Sequence, residues 1–482
     1  MDEKAFSAFL DKWIPEHKDE IIESLLGLLK INSVGAQPLE GKPFGEEVDR
    51  AIQYFIDEAR KYGMMTKNVD GYAAHAEIGS GEEMAMTLTH VDIVPAGTGW
   101  DHDPFGELHE GLIYGRGSTD NKGPTVASLF ALRALKEAGA PLKRRVRHVV
   151  GGNEESGFRC VRHYFEVEEK PTYGFSPDAS FPLVFAEKGS MNVQIEFELP
   201  GALSGGATCR VTELYGGERP NIVASKGVAV LEVTEGSETD LINELKGRVE
   251  DARKVVGGPG PLTFEFQQEP GKVTVTAHGK AAHAATPDEG TNALTGLAYI
   301  LSTLGQCLET APALKFMADA GDIHGKGLCI DSEDDISGKL TCNLGMAAVE
   351  EAEGKRIVRV IYNIRYPVKV SGEELKNRAD GCPRPDSVKV TVLSVGSPHY
   401  TDPESFLVKE LLRIYREETG DMSPPIAIGG GTYAKVIPGG VAYGPGKPGD
   451  PELAHQANEY ISVDDLLQLV RIYARALFAL AT

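Results

Sequence analysis

Five short segments carry the residues with chemical capacity. In THVDIVP, His90 and Asp92 are two apart, so on a continuing strand both side chains leave the same face. The imidazole could bind a metal through one nitrogen while the carboxylate accepts the other N–H and fixes the tautomer. In IYGRGSTDNKGP, Asp120 sits in a glycine-rich turn ahead of a helix. A carboxylate there could bridge two metals, or it could join Asn121 in satisfying free amides at the helix entry. VVGGNEESGF runs an apolar strand into adjacent carboxylates, Glu154 and Glu155, which neighbouring strand positions point in opposite directions. One could ligate a metal while the other takes a proton from the attacking water. FSPDASFPLVFAEKG sets Asp178 at another strand end, and PGDPELAHQANEYIS sets His455 between a proline-rich loop and a final helix.

Taken singly, each segment has an ordinary structural explanation: a strand-end histidine, a helix-entry turn, a solvated acidic loop, a turn aspartate, a surface histidine. Together they supply two histidines and several carboxylates, a nitrogen and oxygen donor mixture suited to Zn²⁺, Co²⁺ or Mn²⁺. Two glutamates side by side are costly unless cations offset them. None of the six cysteines falls within these segments, which argues against a thiolate zinc site.

Such residues need strands that end on one edge of a sheet. Helical spacing is expected over Phe6 to Leu29 and Ala51 to Tyr62, a strand over Met84 to Thr89, a helix over Thr125 to Glu137 and a strand over Val146 to Val150. Strands alternating with helices imply a mainly parallel sheet, whose carboxyl ends gather functional residues. After about Gly189 the texture changes to alternating strands such as MNVQIEFEL, KVTVTAHG and RIVRVIYNIRYPV, with helices at Asp240 to Lys254 and Ala293 to Leu308. Helical patterns return at Ser405 to Glu418 and Val463 to Leu480. The expected organisation is an α/β domain made of residues 1–190 and 385–482, interrupted by an α+β domain at 191–384.

Composition narrows the function classes. With 482 residues, 41% hydrophobic and 25% charged, the chain can bury a large core. A formal net charge of -22 repels phosphate backbones, so nucleic acid is not an expected partner. The charged opening MDEKAFSAFLDKWIPEHKDE does not read as a signal peptide, and no membrane-length apolar run follows. Scattered cysteines without a C-x-x-C pair fit reduced thiols in the cytoplasm.

In their order along the chain, THVDIVPAGTGWDHDPF, YGRGSTDNKGP, NEESGF, SPDASFPLVFAEKG, GGGTYAK and HQANEYIS closely resemble the aminoacylase, carnosinase and carboxypeptidase superfamily of di-zinc hydrolases, and particularly the peptidase V-type dipeptidases. The resemblance covers nearly the whole chain. It implies a discontinuous zinc-peptidase domain with a mainly parallel mixed sheet flanked by helices, plus an inserted lid. It also implies that His90 and Asp178 hold one metal, Glu155 and His455 the other, and Asp120 bridges them across a cis peptide bond to Asn121. Glu154 is then the catalytic base and Asp92 the partner of His90. In the lid, AHGKAAHAATPDEGTNA places His283 as oxyanion donor, a role worth about 3 kcal/mol in a closed site. Asn221 in ERPNIVAS and Arg365 in YNIRYPV are the implied substrate contacts, Arg365 as a clamp on a carboxylate. Ala224 stands where many relatives have proline, a departure that bears on the loop holding Asn221. Gly430, Gly431 and Thr432 would line the floor of the site, where missing side chains admit a substrate backbone.

The expected activity is hydrolysis of short peptides, chiefly dipeptides, by two Zn²⁺ ions (Mn²⁺ or Co²⁺ as alternatives). The large inserted domain suggests a monomer that closes its own site, with a homodimer as the alternative and no membrane partner. Competing readings are an aminoacylase cutting N-acyl amino acids with the same metals, a non-catalytic metal- or amino-acid-binding protein, and a serine hydrolase using Ser118, Ser156 or Ser176. Retention of Glu154 speaks against a mere binder, and no G-x-S-x-G elbow surrounds the serines.

Overall fold

The computed structural model describes residues 1–201, 207–352 and 354–482. They form two compact units: Met1–Ala186, His399–Ala427 and Gly431–Thr482 make the first, and Glu187–Pro398 with Ile428–Gly430 make the second.

The sheet of the first unit runs in the order Met65–Val69, Ala73–Ile78, Arg145–Gly151, Met84–His90, Tyr173–Ser176, Val441–Ala442, Val184–Glu187, His399–Tyr400. Its centre is parallel. Met84–His90 pairs in parallel with Arg145–Gly151 on one side and Tyr173–Ser176 on the other, and Val441–Ala442 extends that set. Toward Ala73–Ile78, Met65–Val69 and Val184 the pairing turns antiparallel. Met84–His90 is buried at every position, as expected of a strand covered on both faces. The register sets His90 opposite Gly151, so the chain leaves three neighbouring parallel strands at the same edge, at His90, Gly151 and Ser176. The motifs with chemical capacity begin there.

Helices Lys122–Glu137 and Val463–Ala481 pack against one another and against the central strands. Lys122–Glu137 is buried through Leu135 because its alanines, leucines and Phe130 meet apolar neighbours all round. The expected helix over Phe6 to Leu29 is instead two, Glu3–Glu16 and Lys18–Leu29, broken at His17. Pro15 sits within the last turn of the first helix, and the chain leaves helical geometry at His17, with φ -108° and ψ 8°. Among the described residues no helix is long and apolar enough to cross a membrane.

The second unit has its own antiparallel sheet and its own core. The strand order is Thr263–Glu269, Lys272–His278, Lys226–Val233, Cys209–Gly216, Thr341–Ala352, Lys355–Tyr366, Gly189–Leu199, Val388–Gly396. Along Gly189–Leu199, Met191, Val193, Ile195, Phe197 and Leu199 alternate inward, the period-two pattern that suits a sheet with one buried face. Helices Ala293–Ser302 and Ala311–Ala320 contribute Leu294, Leu297, Leu301, Leu314 and Met317 to this core. Val388–Gly396, which lies past residue 384, pairs with Gly189–Leu199 and so belongs to this unit. The helix expected over Asp240 to Lys254 is divided into Glu238–Lys246 and Val249–Val256 at Gly247.

Candidate metal centre

His90 ends its strand fully buried, and its Nδ1 lies 2.9 Å from the backbone carbonyl of Asp92. A carbonyl only accepts, so Nδ1 carries the proton and Nε2 is the atom left for another partner. Nε2 faces two carboxylates, Asp120 Oδ1 at 3.0 Å and Asp178 Oδ1 at 3.6 Å. The strand stops at His90 instead of continuing through Asp92, and the Asp92 carboxylate is the more distant contact of His90, at 3.5 Å. Its main work is elsewhere: Oδ1 accepts from the backbone N–H of Glu154 at 3.0 Å and Oδ2 from that of Glu155 at 3.1 Å. Asp92 therefore clamps the turn on which both glutamates sit.

Asp120 follows a turn whose amides are collected by one buried group. The peptide bond to Asn121 is cis. Asp120 Oδ1 faces His90, while Oδ2 lies 3.1 Å from His455 Nε2. His455 Nε2 also lies 3.1 Å from Glu155 Oε1. Asp178 is steadied by Asn121, whose Nδ2 donates to Asp178 Oδ1 at 3.2 Å and to the Pro177 carbonyl at 2.6 Å. Two sets of donor atoms result, His90 with Glu154 and Asp178, and Asp120 with Glu155 and His455, the atoms of each lying within 4.8 Å of one another. Asp120, in the second set, also turns its other oxygen toward His90 of the first.

Electrostatics shows what this crowding demands. Burial pushes the Glu154 carboxyl well above the usual carboxylate range, and the charge of Asp178 adds to it. Burial likewise lifts Asp178 to about 6, against the pull of His90. Burial would raise Asp120 too, but its bonds to His455 and His90 hold it below its ordinary value. His455 is raised to about 10 by its bonds to Asp120 and Glu155. Burial disfavours charge on His90, yet Asp178 and Asp120 outweigh it and raise the ring well above 6.5. Four carboxylates and two imidazoles thus share one small volume in which positive charge is required. Protonation of the histidines would supply part of it, and a divalent cation held by His90, Asp178, Asp120, Glu155 and His455 would supply it directly. The donor set fits such ions.

Glu459 lies in the HQANEYIS segment and escapes a reading that looks for ligands. It is fully buried, and its carboxylate accepts from the N–H groups of Gly117, Thr119 and Asp120 and from the Thr119 hydroxyl. Arg116 Nη1 pairs with it at 2.7 Å. This one side chain ties the segment carrying His455 to the turn carrying Asp120. The available signal was the amide-rich run GRGSTD, which needs an acceptor somewhere in the fold. Lys122, two residues beyond Asp120, is a second buried charge beside this turn. It is fully buried, donates from Nζ to the Ile31 carbonyl at 2.6 Å, and is pushed down to about 7 by burial.

The remaining expected residues divide between the units. In the first, Thr432 accepts through Oγ1 from Ala434 N–H, capping the turn Tyr433–Val436, and Tyr433 packs its ring edge-on to His90. In the second, Asn221 and His283 are neighbours. Ile222 and His283 form an antiparallel bridge, and the Asn221 carbonyl accepts from Ala284 N–H at 2.9 Å. Asn343 Nδ2 donates to the carbonyls of Pro220 and Ile222 on either side of Asn221, so the loop is held although Ala224 stands at the expected proline position. Arg365 Nε donates to Asn363 Oδ1 at 3.0 Å, and Nη1 reaches the Gly429 carbonyl, next to Gly430, at 3.4 Å. The serine-hydrolase reading finds no support. Ser176 donates to the Leu88 carbonyl, Ser156 accepts from Asn153, and the Ser118 hydroxyl is buried without a partner.

A family model described as peptidase family M20/M25/M40 matches residues 86–479. The chain belongs to this family. Its members are metallopeptidases, and this chain is accordingly a metal-dependent hydrolase. A Bacillus subtilis (strain 168) protein named "Putative dipeptidase YtjP" is 37% identical over 473 residues, covering 96% of this chain and 98% of that one. A similarly named protein of Staphylococcus haemolyticus (strain JCSC1435) is 32% identical over 97% of this chain and 98% of its own length. Among solved structures, human carnosine dipeptidase 1 matches with a TM-score of 0.53 at 18% identity over 98% of each chain. The di-peptidase Dug1p of Saccharomyces cerevisiae matches with 0.55 at 14% identity, over 99% of this chain and 98% of that one. These likenesses establish the M20 α/β fold, mixed sheets flanked by helices.

Proposed function

We propose that the protein is a dipeptidase that cuts free dipeptides, holding two Zn²⁺ ions (Mn²⁺ or Co²⁺ as substitutes) on His90, Asp178, Asp120, Glu155 and His455. The observation that carries this reading is the facing of imidazole nitrogens and carboxylate oxygens at 3.0–3.1 Å around Asp120. The dipeptidase names of relatives at 37% and 32% identity support the substrate class. Bound there, the cations polarise the scissile carbonyl and lower the pKa of a water.

Glu154 accepts that water's proton and passes it to the leaving amine, from a turn held by Asp92. In this reading His283 donates to the oxygen that gains charge, and Arg365 pairs with the free carboxylate of the dipeptide. Asn221, in the loop beside His283, supplies a further substrate contact. Gly430 needs no glycine for the fold, since an added Cβ would meet only Ile428 Cδ1 at 3.7 Å. We assign the space beside Gly430, Gly431 and Thr432 to the substrate backbone. Met1–Ala186, His399–Ala427 and Gly431–Thr482 are taken as the catalytic part and Glu187–Pro398 with Ile428–Gly430 as the lid of a monomer, with the cytoplasm as the place of action.

Asp92 offers a test away from the ligands themselves. Asp92→Ala leaves two glutamate N–H groups unbonded, and a loss of about 10–100-fold in metal affinity is expected, the range for residues that orient ligands. Competition with a chelating dye measures it, and unchanged affinity contradicts the role.

The function itself is tested on the metal-replete protein with Ala-Ala, N-acetylalanine and an unblocked hexapeptide, each with a chelated control. Cleavage of Ala-Ala alone, abolished by chelator and restored by Zn²⁺, is the expected outcome. Preference for N-acetylalanine would make the enzyme an aminoacylase, and rapid hexapeptide cleavage would rule out a closed dipeptide site.

A further inference from the structure

We propose that Cys329 and Cys382, in the second unit, are a thiol pair that closes to a reversible disulfide on exposure to a two-electron oxidant of the hydroperoxide class. Their Sγ atoms stand 2.7 Å apart, inside the van der Waals contact of two sulfurs. Both are free thiols.

The backbone brings them together independently of the sulfurs. Cys329 follows the short turn Lys326–Leu328 with φ at 59°, and Cys382 follows the helix Gly372–Asp380. Arg378, on that helix, donates from Nε to the Cys329 carbonyl at 2.8 Å, from Nη2 to the Asp331 carbonyl at 2.9 Å and from Nη1 to Ser332 Oγ at 3.2 Å. Cys382 Sγ also contacts the Gly327 carbonyl at 3.4 Å. One guanidinium thus pins the segment 329–332 against the end of the helix and holds the two sulfurs within reach of one another.

The other cysteines are engaged differently. Cys160 is buried against the Tyr433 hydroxyl, Cys342 is buried with its thiol toward the Ala320 carbonyl, and Cys209 points at the backbone carbonyl of Cys307. Among the described residues, only Cys329 and Cys382 present sulfur to sulfur.

Exposure sets the order of events. Cys329 is partly exposed, whereas Cys382 is 5% exposed, and burial, reinforced by the neighbouring Cys329, pushes the Cys382 thiol up to about 12. The oxidant therefore meets Cys329 first. The Cys329 sulfur attacks one peroxide oxygen, the O–O bond breaks, and a sulfenic acid forms while an alcohol, or water from hydrogen peroxide, departs. Cys382 sulfur then attacks Cys329 sulfur; the S–O bond breaks, and the hydroxide leaves as water with the Cys382 proton. Two thiols are oxidised by two electrons and the peroxide is reduced by two. Two equivalents of a small thiol reverse the change through a mixed disulfide. The bond closes a loop from 329 to 382 that contains the paired strands Thr341–Ala352 and Lys355–Tyr366, and with them Arg365.

The test uses the reduced full-length chain, treated with one equivalent of hydrogen peroxide, alkylated under denaturing conditions and mapped by mass spectrometry. The expected result is loss of two of the six alkylatable thiols, a cross-linked peptide pair joining Cys329 to Cys382, and full recovery with dithiothreitol. In Cys382→Ser the same treatment is expected to leave Cys329 as a sulfenic acid trapped by dimedone, with no intramolecular cross-link. Continued alkylation of both cysteines in the wild-type chain, or a cross-link to any other cysteine, would overturn the proposal.

Discussion

Glu154→Ala is expected to keep its metal and lose turnover, with kcat lower by about 10²–10⁴-fold, the range for removing a general base. Metal content discriminates here as sharply as rate does. A Glu154 oxygen lies in the same set of donor atoms as His90 and Asp178, so the geometry alone admits a ligand as well as a base. If Glu154 is a ligand, the variant loses metal together with activity. If it is the base, elemental analysis finds the wild-type metal content in a nearly inactive protein. Unchanged kcat would end the mechanism.

The second large effect concerns the ligands. Glu155→Ala and His455→Ala each remove a donor from one set only, so each variant is expected to retain about one ion per chain and to lose most activity. Asp120→Ala is expected to be more severe, because Asp120 presents one oxygen to each histidine. Its removal leaves His90 and His455 without their shared partner, and both ions should bind weakly. Dialysis against defined free zinc, followed by elemental analysis and circular dichroism, separates metal loss from unfolding. Full occupancy in a folded Asp120→Ala protein would remove Asp120 from the centre.

The parts of this site that were legible in the sequence are those that depend on a strand ending. His90, Glu154, Glu155 and Asp178 follow apolar runs, and the parallel register places the ends of those runs at one edge. What the second residue of each motif does was less legible. The spacing places Asp92 to orient His90, but the strand stops two residues short of it, and its carboxylate holds the glutamate turn while its carbonyl accepts the histidine N–H. Glu459 was invisible for a related reason. Its partners are backbone amides more than 300 residues away in the chain, and no spacing rule reaches across that distance. Periodicity predicted the helical segments well but not their interruptions at His17 and Gly247, because apolar spacing continues across both breaks.

The core of the first unit closes only around Val463–Ala481, which packs on Lys122–Glu137, and that same late stretch delivers Glu459 to the Asp120 turn. The second unit buries its apolar residues between Met191 and Val390. On a ribosome, then, the antiparallel sheet can mature while the parallel one still awaits its last helix. The proposed centre needs His455 and is therefore complete only after residues 431–482 have emerged.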